Sequence, residues 1–290
     1  MSEAGTVEPG SRGADATAAA PAMVLGGAVS LQGGSTVARN LIPIAGVPGT
    51  VALRVAFGAM LLALWRRPSL PAGRRQLALM AGIALVLVVQ HLTFYAAIDR
   101  LPLGVVVTLE FFCGPLALAF AGSRRLDHLL WVLVAAAGVV LASNAAAGGE
   151  WDALGAALAV VAGITWALYI MLFPRAGEAG DRVGALTTIT IAAAVIALPY
   201  GIAVDHAGMF TWKALGLCVV VALLTDVIAY SLQAHALSRL SARTFSVLSS
   251  TQPAVAALFG LVALGQQIDG LQWVGIAAVT AASAMTGLER

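Results

Sequence analysis

Charged side chains are scarce in this sequence. Asp, Glu, Lys and Arg together make up 10% of its 290 residues, whereas 60% are hydrophobic and the mean hydropathy is +0.93. Soluble domains usually carry about 25% charged residues. A water-soluble fold of this composition would expose large hydrophobic patches, so the sequence excludes an ordinary soluble domain. The composition instead indicates a protein that lies in the lipid bilayer.

Cysteine and the motifs of catalysis are also nearly absent. The two cysteines, Cys113 and Cys218, fall inside apolar runs, where they resemble small core residues more than a disulfide or metal pair. No Cys/His cluster has zinc spacing, and neither His-Glu-x-x-His nor Gly-x-Ser-x-Gly occurs. We therefore expect no catalytic residue, no metal, no cofactor and no enzyme activity. The net charge of +2 comes from basic residues in loops between apolar runs, so we expect no nucleic-acid partner either.

Ten apolar stretches fill the chain after its first two dozen residues. A bilayer core is about 30 Å thick and needs about 20 helical residues to cross it. Backbone groups cannot stay unpaired in lipid, so runs of this length must be helices. The sequence predicts an all-α polytopic membrane protein with ten transmembrane helices. The approximate spans are 24–42, 48–65, 76–97, 103–122, 127–146, 152–173, 184–204, 213–236, 244–264 and 270–288.

Basic residues predict the orientation of these helices. If the N-terminus is cytoplasmic, twelve arginines fall on the cytoplasmic side and only Arg39, Arg100 and Lys213 fall on the other. Such a bias follows the positive-inside rule and places both termini in the cytoplasm. The twelve are Arg12, Arg66, Arg67, Arg74, Arg75, Arg124, Arg125, Arg175, Arg182, Arg239, Arg243 and Arg290.

The second half of the chain echoes the first. Residues 97–101, Ala-Ile-Asp-Arg-Leu, compare with 236–240, Ala-Leu-Ser-Arg-Leu, and the Asp127…Trp131 spacing recurs in Asp269…Trp273. A half with an odd number of spans enters the membrane the other way up in its copy, which is typical of secondary transporters. We predict a disordered cytoplasmic tail (1–22) and two inverted five-helix repeats (23–147 and 148–290). Chance similarity between Ala- and Leu-rich helices is the alternative.

Two intramembrane carboxyl groups and one guanidinium stand out, because such groups are costly in lipid and usually functional or paired. Glu110, in span four, suits proton carriage or a substrate ammonium group. Arg54, in span two, could bind a substrate carboxylate or form a permanent salt bridge with Glu110 or Asp226. Asp226, in span eight, is a second candidate for proton coupling.

Other polar and aromatic residues lie inside the spans at helical spacing. Each could line a substrate pathway or simply bond to a neighbouring helix, and His91 could also relay protons. With the three charged residues, these complete our set of candidate translocation residues. The additional candidates are Gln32 and Thr36, His91 and Tyr95, Trp166 and Tyr169, Tyr230 and Gln252.

Several longer segments carry a family resemblance. They include Ser30-Leu31-Gln32-Gly33-Gly34-Ser35, Leu109-Glu110-Phe111, Gly114-Pro115-Leu116 and the stretch 236–240 already quoted. Together they resemble the EamA family of the drug/metabolite transporter superfamily, over nearly everything after residue 25. Gln233, Gln252 and Gln266 stand where the amino-acid exporters of this family tend to have glutamates, and Asp226 where they have a small residue.

The resemblance implies ten helices in two inverted repeats and export from the cytoplasm through a bacterial inner membrane. It implies small amino acids such as threonine or homoserine, or related metabolites, as cargo, driven by proton antiport. A drug, an aromatic compound or a nucleotide-derived metabolite on the same fold is the alternative. The expected partners are the small-molecule substrate, protons and the lipid bilayer, with a homodimer left open.

Overall fold

A computed structural model describes residues 20–69, 71, 73–116, 133–134, 136–138, 141, 152–176, 181–240 and 242–288. These residues form helices and their connections, and no strand occurs among them. The helices are α1 (Ala20–Trp65), α2 (Arg74–Arg100), α3 (Leu103–Phe111) continued by the π-helical turn Phe112–Leu116, α4 (Ala153–Ala176), α5 (Arg182–Met209), α6 (Trp212–Ala222) continued by the π-helical segment Leu223–Ala229, α7 (Tyr230–Leu237), α8 (Ala242–Ser249), α9 (Gln252–Leu264) and α10 (Gly270–Leu288).

The first helix is too long to cross a membrane once. Its 46 residues would extend about 69 Å if straight, more than twice the bilayer core. It is broken at Gly46, whose φ of 65° and ψ of 170° are not helical, between Pro43 and Pro48. Gly34 and Gly58, twelve residues on either side of this break, both pack against the turn Leu224–Asp226. The chain therefore folds back at Gly46, and α1 supplies predicted spans one and two.

Most of the predicted spans coincide with helices. Five helices among the described residues are long and apolar enough to cross a bilayer: α1, α2, α4, α5 up to Val204, and the continuous rod Trp212–Leu237. The shorter helices α3, α9 and α10 fall in predicted spans four, nine and ten. The structure thus confirms the all-helical fold class, while the count of ten and the inverted repeat stay predictions. Span five, apart from a few residues, and the tail up to residue 19 lie outside the described residues.

The structure differs most from the predicted boundaries in two places. Helix α5 continues to Met209, beyond the expected end at residue 204. Predicted span nine is divided into α8 and α9 at Ser250 and Thr251. Pro253 explains the division, because proline has no N–H to donate and is favoured in the first turn of a new helix.

Contacts between the helix ends separate the two faces of the bundle. At one face, which we call the Arg66 end, Arg66 pairs with Asp181 at 3.3 Å, and Ser69 N–H donates to the Gly184 carbonyl at 3.1 Å. Arg182 donates to the Leu237 carbonyl at 3.4 Å at the same face.

At the other face, which we call the Arg100 end, Arg39 donates to the carbonyls of Ile98 and Leu101. Arg100 pairs with Asp152 at 2.8 Å, and Leu103 N–H donates to the Gln266 side chain at 3.1 Å. By the arginine count, the Arg66 end is the predicted cytoplasmic face.

Glycines bring the central helices into backbone contact. A methyl group on Gly163 of α4 would lie 3.1 Å from the Cα of Glu110, and one on Gly114 would lie 3.2 Å from the Cα of Gly163. Small residues allow such close approach in membranes, where dispersion contacts rather than water exclusion hold helices together. This contact sets Glu110 of α3 beside Trp166, one turn along α4 from Gly163.

The fold-back predicts that Gly46→Ala destabilises the protein. The backbone angles of Gly46 are almost exclusive to glycine, so a side chain there should cost about 1–3 kcal/mol. Thermal unfolding followed by circular dichroism in one detergent measures the loss. Gly82→Ala is the matched control, since Gly82 is helical and a methyl group there meets nothing within 4 Å. The control should melt at or above the wild-type temperature, and an equal loss in both variants would contradict the assignment.

Candidate functional site

A narrow cavity lies at the centre of the helix bundle. Its volume open to water is about 20 Å³, room for about one water molecule. It is therefore closed to a molecule of amino-acid size in this conformation. The cavity is lined by Leu31, Gln32, Ser35, Arg54, Gln90, His91, Phe94, Glu110, Phe111, Trp166, Tyr230 and Gln252.

A buried ion pair lies beside this cavity. Arg54 of α1 donates through Nε to Asp226 Oδ2 at 2.9 Å and through Nη2 to Oδ1 at 3.3 Å. The side chains of Arg54 and Asp226 are 3% and 5% exposed. Arg54 Nη1 also donates to the Tyr95 hydroxyl at 3.0 Å, and the Thr225 hydroxyl donates to Asp226 Oδ2 at 2.9 Å. Of the alternatives for Arg54, the structure contains the salt bridge to Asp226.

Glu110 has a different environment from Asp226. Its Oε1 accepts a hydrogen bond from Gln90 Nε2 at 2.9 Å, and its side chain is buried. No cation pairs with it among the described residues, so a neutral amide is its direct hydrogen-bond partner there. Two buried carboxyl groups thus differ in one respect: Asp226 is neutralised by a guanidinium and Glu110 is not.

π-helical segments occur where both carboxyl groups lie. Asp226 is inside the segment Leu223–Ala229, and the turn Phe112–Leu116 begins two residues after Glu110. Such wider turns interrupt the regular hydrogen-bond ladder and are frequent at functional sites. Pro115 accounts for the second, because it cannot donate to the ladder. The proline is a signal in the sequence for the second π-helical turn, whereas no such signal marks the segment around Asp226.

Aromatic rings form one wall of the cavity. Trp166 stacks on Tyr169 with ring centroids 5.2 Å apart, and both meet Tyr230 edge-on at 5.9 and 5.7 Å. Tyr230 lies with its hydroxyl 3.1 Å from His91 Nε2. Tyr230 is further held by the Arg54 guanidinium, whose central carbon is 5.9 Å from its ring centroid. These mutual contacts fix the rings and leave little freedom in the wall.

Several buried polar atoms around the cavity lack a protein partner among the described residues. Each such atom costs about 1–3 kcal/mol unless something else satisfies it. Five of them belong to cavity-lining side chains, and they include both acceptors and donors. They are Gln32 Oε1, Gln90 Oε1, His91 Nδ1, Trp166 Nε1 and Gln252 Nε2. Concentrated in one place, they make the cavity a ready site for a small polar ligand.

The predicted candidates fall into two groups. Seven line the cavity: Gln32, Arg54, His91, Glu110, Trp166, Tyr230 and Gln252. Four lie behind it: Asp226 and Tyr95 against Arg54, Tyr169 against the aromatic wall, and Thr36, whose hydroxyl donates to the Gln32 carbonyl at 2.8 Å. Sequence reasoning left Gln90 out of the candidate set. A buried amide one position before His91 is the signal that could have found it.

The ion pair predicts that the contributions of Asp226 and Arg54 to the free energy of unfolding depend strongly on each other. Asp226→Asn leaves an unneutralised guanidinium in the core and should lower the free energy of unfolding by about 3–5 kcal/mol. Adding Arg54→Gln removes that charge, so the double variant should recover most of the loss. Unfolding in mixed detergent micelles measures all three proteins. Losses that add up in the double variant would mean that the two side chains do not act as a pair.

Several known proteins that are similar to this chain in sequence are named as transporters. The chain is 38% identical over 257 residues to the threonine/homoserine exporter RhtA of Salmonella typhimurium (strain LT2), an alignment that covers 88% of this chain and 86% of that relative. The Escherichia coli (strain K12) exporter of the same name is 37% identical over the same shares. An uncharacterized transporter of Bacillus subtilis (strain 168), YwfM, is 23% identical over 79% of each chain.

A solved crystal structure shares the fold. It superposes with a TM-score of 0.68 over 92% of this chain and 96% of its own, at 18% identity. The sequence profile of the EamA-like transporter family matches residues 153–288, which include α4 to α10. Because the chain matches this profile and also aligns with the two exporters over most of their length, it belongs to the EamA-like transporters of the drug/metabolite transporter superfamily.

Proposed function

We propose that this protein is a secondary active exporter of small amino acids of the threonine and homoserine kind, coupled to protons by antiport. The observation that carries the proposal is the central cavity, where Glu110, Arg54 and the unpartnered amide and indole atoms surround one small space. The names of the relatives, threonine/homoserine exporters at 37–38% identity, support the same substrate class.

The cavity matches both charged groups of an amino acid. Arg54 has five N–H donors and uses three in the bonds described, so two remain for a substrate carboxylate. Trp166 Nε1 and Gln252 Nε2 are further donors without a partner among the described residues. A substrate ammonium group would donate to Glu110 and to the free amide oxygens of Gln90 and Gln32. The binding mode therefore places the carboxylate at Arg54 and the ammonium group at Glu110.

Charge balance assigns the proton to Glu110 rather than Asp226. Arg54 neutralises Asp226, so loss of the Asp226 charge would leave an unpaired guanidinium in the core. Glu110 can bind a proton without uncovering another charge, since Gln90 is neutral. A proton on Glu110 would also remove the anion that holds the substrate ammonium group. Proton and substrate then exclude each other at one site, which is the condition for antiport.

The packing of the helices supports two inverted repeats. In this arrangement the two halves of α1 correspond to α4 and α5. Helix α2 corresponds to the rod Trp212–Leu237, and α3 corresponds to α8–α9. A two-fold axis between the repeats then requires contacts to occur in equivalent pairs. The first half of α1 packs on the rod, and α4 packs on α2 in the equivalent way. The second half of α1 packs on α5, and α3 packs on α9. Each of these pairs joins equivalent helices of the two repeats, as expected for contacts that lie on the axis. Rocking of one half against the other would open the closed cavity to each face in turn.

We place the protein in a bacterial inner membrane with both termini in the cytoplasm. The support is the arginine count together with the two bundle faces, because Arg66, Arg182 and Arg239 gather at one end. Export then runs from the Arg66 end to the Arg100 end. Five-helix halves of opposite orientation keep the substrate path within a single chain.

Transport into inside-out vesicles tests the proposal. With the vesicle lumen acidic, labelled threonine should accumulate in wild-type vesicles. Glu110→Gln should abolish gradient-driven accumulation and also threonine–threonine exchange, because a glutamine can neither release a proton nor supply the anion that holds the substrate ammonium group. Asp152→Asn is the matched acid-to-amide control at the exposed Arg100 end and should accumulate threonine normally.

The outcomes of this experiment separate the parts of the proposal. Full accumulation by Glu110→Gln would overturn its role in coupling. Absence of threonine and homoserine transport by folded wild-type protein would overturn the substrate class. The ring-lined wall would then favour an aromatic metabolite or drug as cargo, and competition by such compounds would identify it.

The unpartnered indole N–H predicts a specific loss in Trp166→Phe. This change keeps the ring stack and deletes one donor, so it should raise the KM for threonine roughly 5- to 150-fold, corresponding to about 1–3 kcal/mol. The exchange rate at saturating substrate should change little. Phe173→Leu serves as the control, because Phe173 stacks on Tyr169 and does not line the cavity. Equal KM values in Trp166→Phe and wild type would remove the indole from the binding site.

A further inference from the structure

An apolar crevice opens between α1 and the rod Trp212–Leu237, near the Arg66 end. Its volume is about 450 Å³. Nearly all of its surface is hydrocarbon, and several of its side chains are partly exposed on the outside of the bundle, Trp65 by 60% and Ile228 by 38%. It is lined by Met23, Trp65, Val227, Ile228, Ser231, Leu232 and His235. It is separate from the central cavity, with which it shares no lining residue.

A second cavity continues the crevice toward the membrane surface. Its volume is about 330 Å³, and it shares Trp65 and His235 with the crevice. Arg66, Asp181 and Arg182 are part of its wall. The two cavities together form a slot that is apolar within the bundle and polar at its mouth.

Among the described residues, arginines outnumber carboxylates at the mouth of the slot. Arg66 is paired with Asp181, but Arg182 makes no ion pair among the described residues and donates to the Leu237 carbonyl. Arg239 also lies near the slot, with Nη1 3.7 Å from the sulfur of Met23, which lines the crevice. Although partial burial raises the pKa of Asp181, the Gly184 N–H and the Arg66 guanidinium outweigh this and hold that pKa below its usual value. Asp181 therefore neutralises at most one of the two arginines, Arg66 and Arg182, in the wall of the second cavity.

Phosphate is the group that arginines in this arrangement bind best, through paired N–H donors. An acyl chain needs an apolar slot that runs down from the surface, and the crevice provides one. Basic pockets between helices at the cytoplasmic face bind anionic headgroups in this way. We propose that the slot binds one phospholipid with an anionic headgroup, its phosphate at Arg66 and Arg182 and one acyl chain between α1 and the rod. This goes beyond the proposed transport function and does not depend on it.

The position of Trp65 allows a direct test. Full-length protein is reconstituted in phosphatidylcholine vesicles that contain a minor fraction of lipid with brominated acyl chains, either phosphatidylglycerol or phosphatidylcholine. Bromine quenches nearby indole fluorescence, and the difference between wild type and Trp65→Phe isolates the Trp65 signal. Brominated phosphatidylglycerol should quench this signal at a lower lipid fraction than brominated phosphatidylcholine.

Paired variants distinguish binding at a specific site from a general attraction of anionic lipid to the positively charged surface. Arg66→Gln/Arg182→Gln should reduce the preference for phosphatidylglycerol by up to about thirtyfold, roughly fivefold for each arginine. Arg66→Lys/Arg182→Lys should retain part of it. Arg74→Gln/Arg75→Gln removes the same charge from the exposed start of α2 and should leave the preference unchanged. Equal quenching by the two lipids in wild type, or an equal loss in both glutamine variants, would overturn the proposal.

Discussion

The cost of an unpaired polar group in hydrocarbon governs this structure. It makes the backbone helical throughout the described spans, and it leaves few acceptable places for Arg54, Asp226 and Glu110. Arg54 and Asp226 resolve the cost together, since each neutralises the other across the contact between α1 and the rod Trp212–Leu237. Their hydrogen bonds with Tyr95 and Thr225 complete the pairing. The ion pair thereby also joins elements of the two predicted halves of the chain.

Glu110 is not part of this ion pair, so its carboxyl group is available to interact with a ligand in the cavity. A carboxyl group whose hydrogen-bond partner among the described residues is Gln90, in a cavity also lined by a guanidinium with spare donors, can accept an ammonium group or a proton. Amide and indole atoms without partners among the described residues surround the same space. A fully satisfied core would be more stable but would have nothing to offer a polar substrate. Under the proposed function, the site gives up stability in exchange for the capacity to bind a polar substrate.

Close backbone packing sets the positions of these groups. Gly163 lets α4 lie directly on α3 at Glu110, and Gly58 lets α1 lie against Asp226, where a methyl group would come within 2.8 Å of the aspartate Cβ. Helices held by such contacts move as rigid units, because separation loses many dispersion contacts at once. Rocking of whole helices, with the π-helical segments near both carboxyl groups as the irregular points, is the motion this packing favours.

The sequence by itself determined the helical class, most of the spans, the arginine asymmetry and which polar residues would be costly in the bilayer. Hydrophobic length and residue type carry that information locally. It could not decide whether Arg54 would meet Glu110 or Asp226, since the partners are 56 and 172 positions away and either pairing satisfies the same charge. Nor could it place Thr36 and Tyr95 behind the cavity wall while Gln90 lines it. Those choices depend on which helices touch, on their rotation and on the fold-back at Gly46, and only the tertiary packing fixes them.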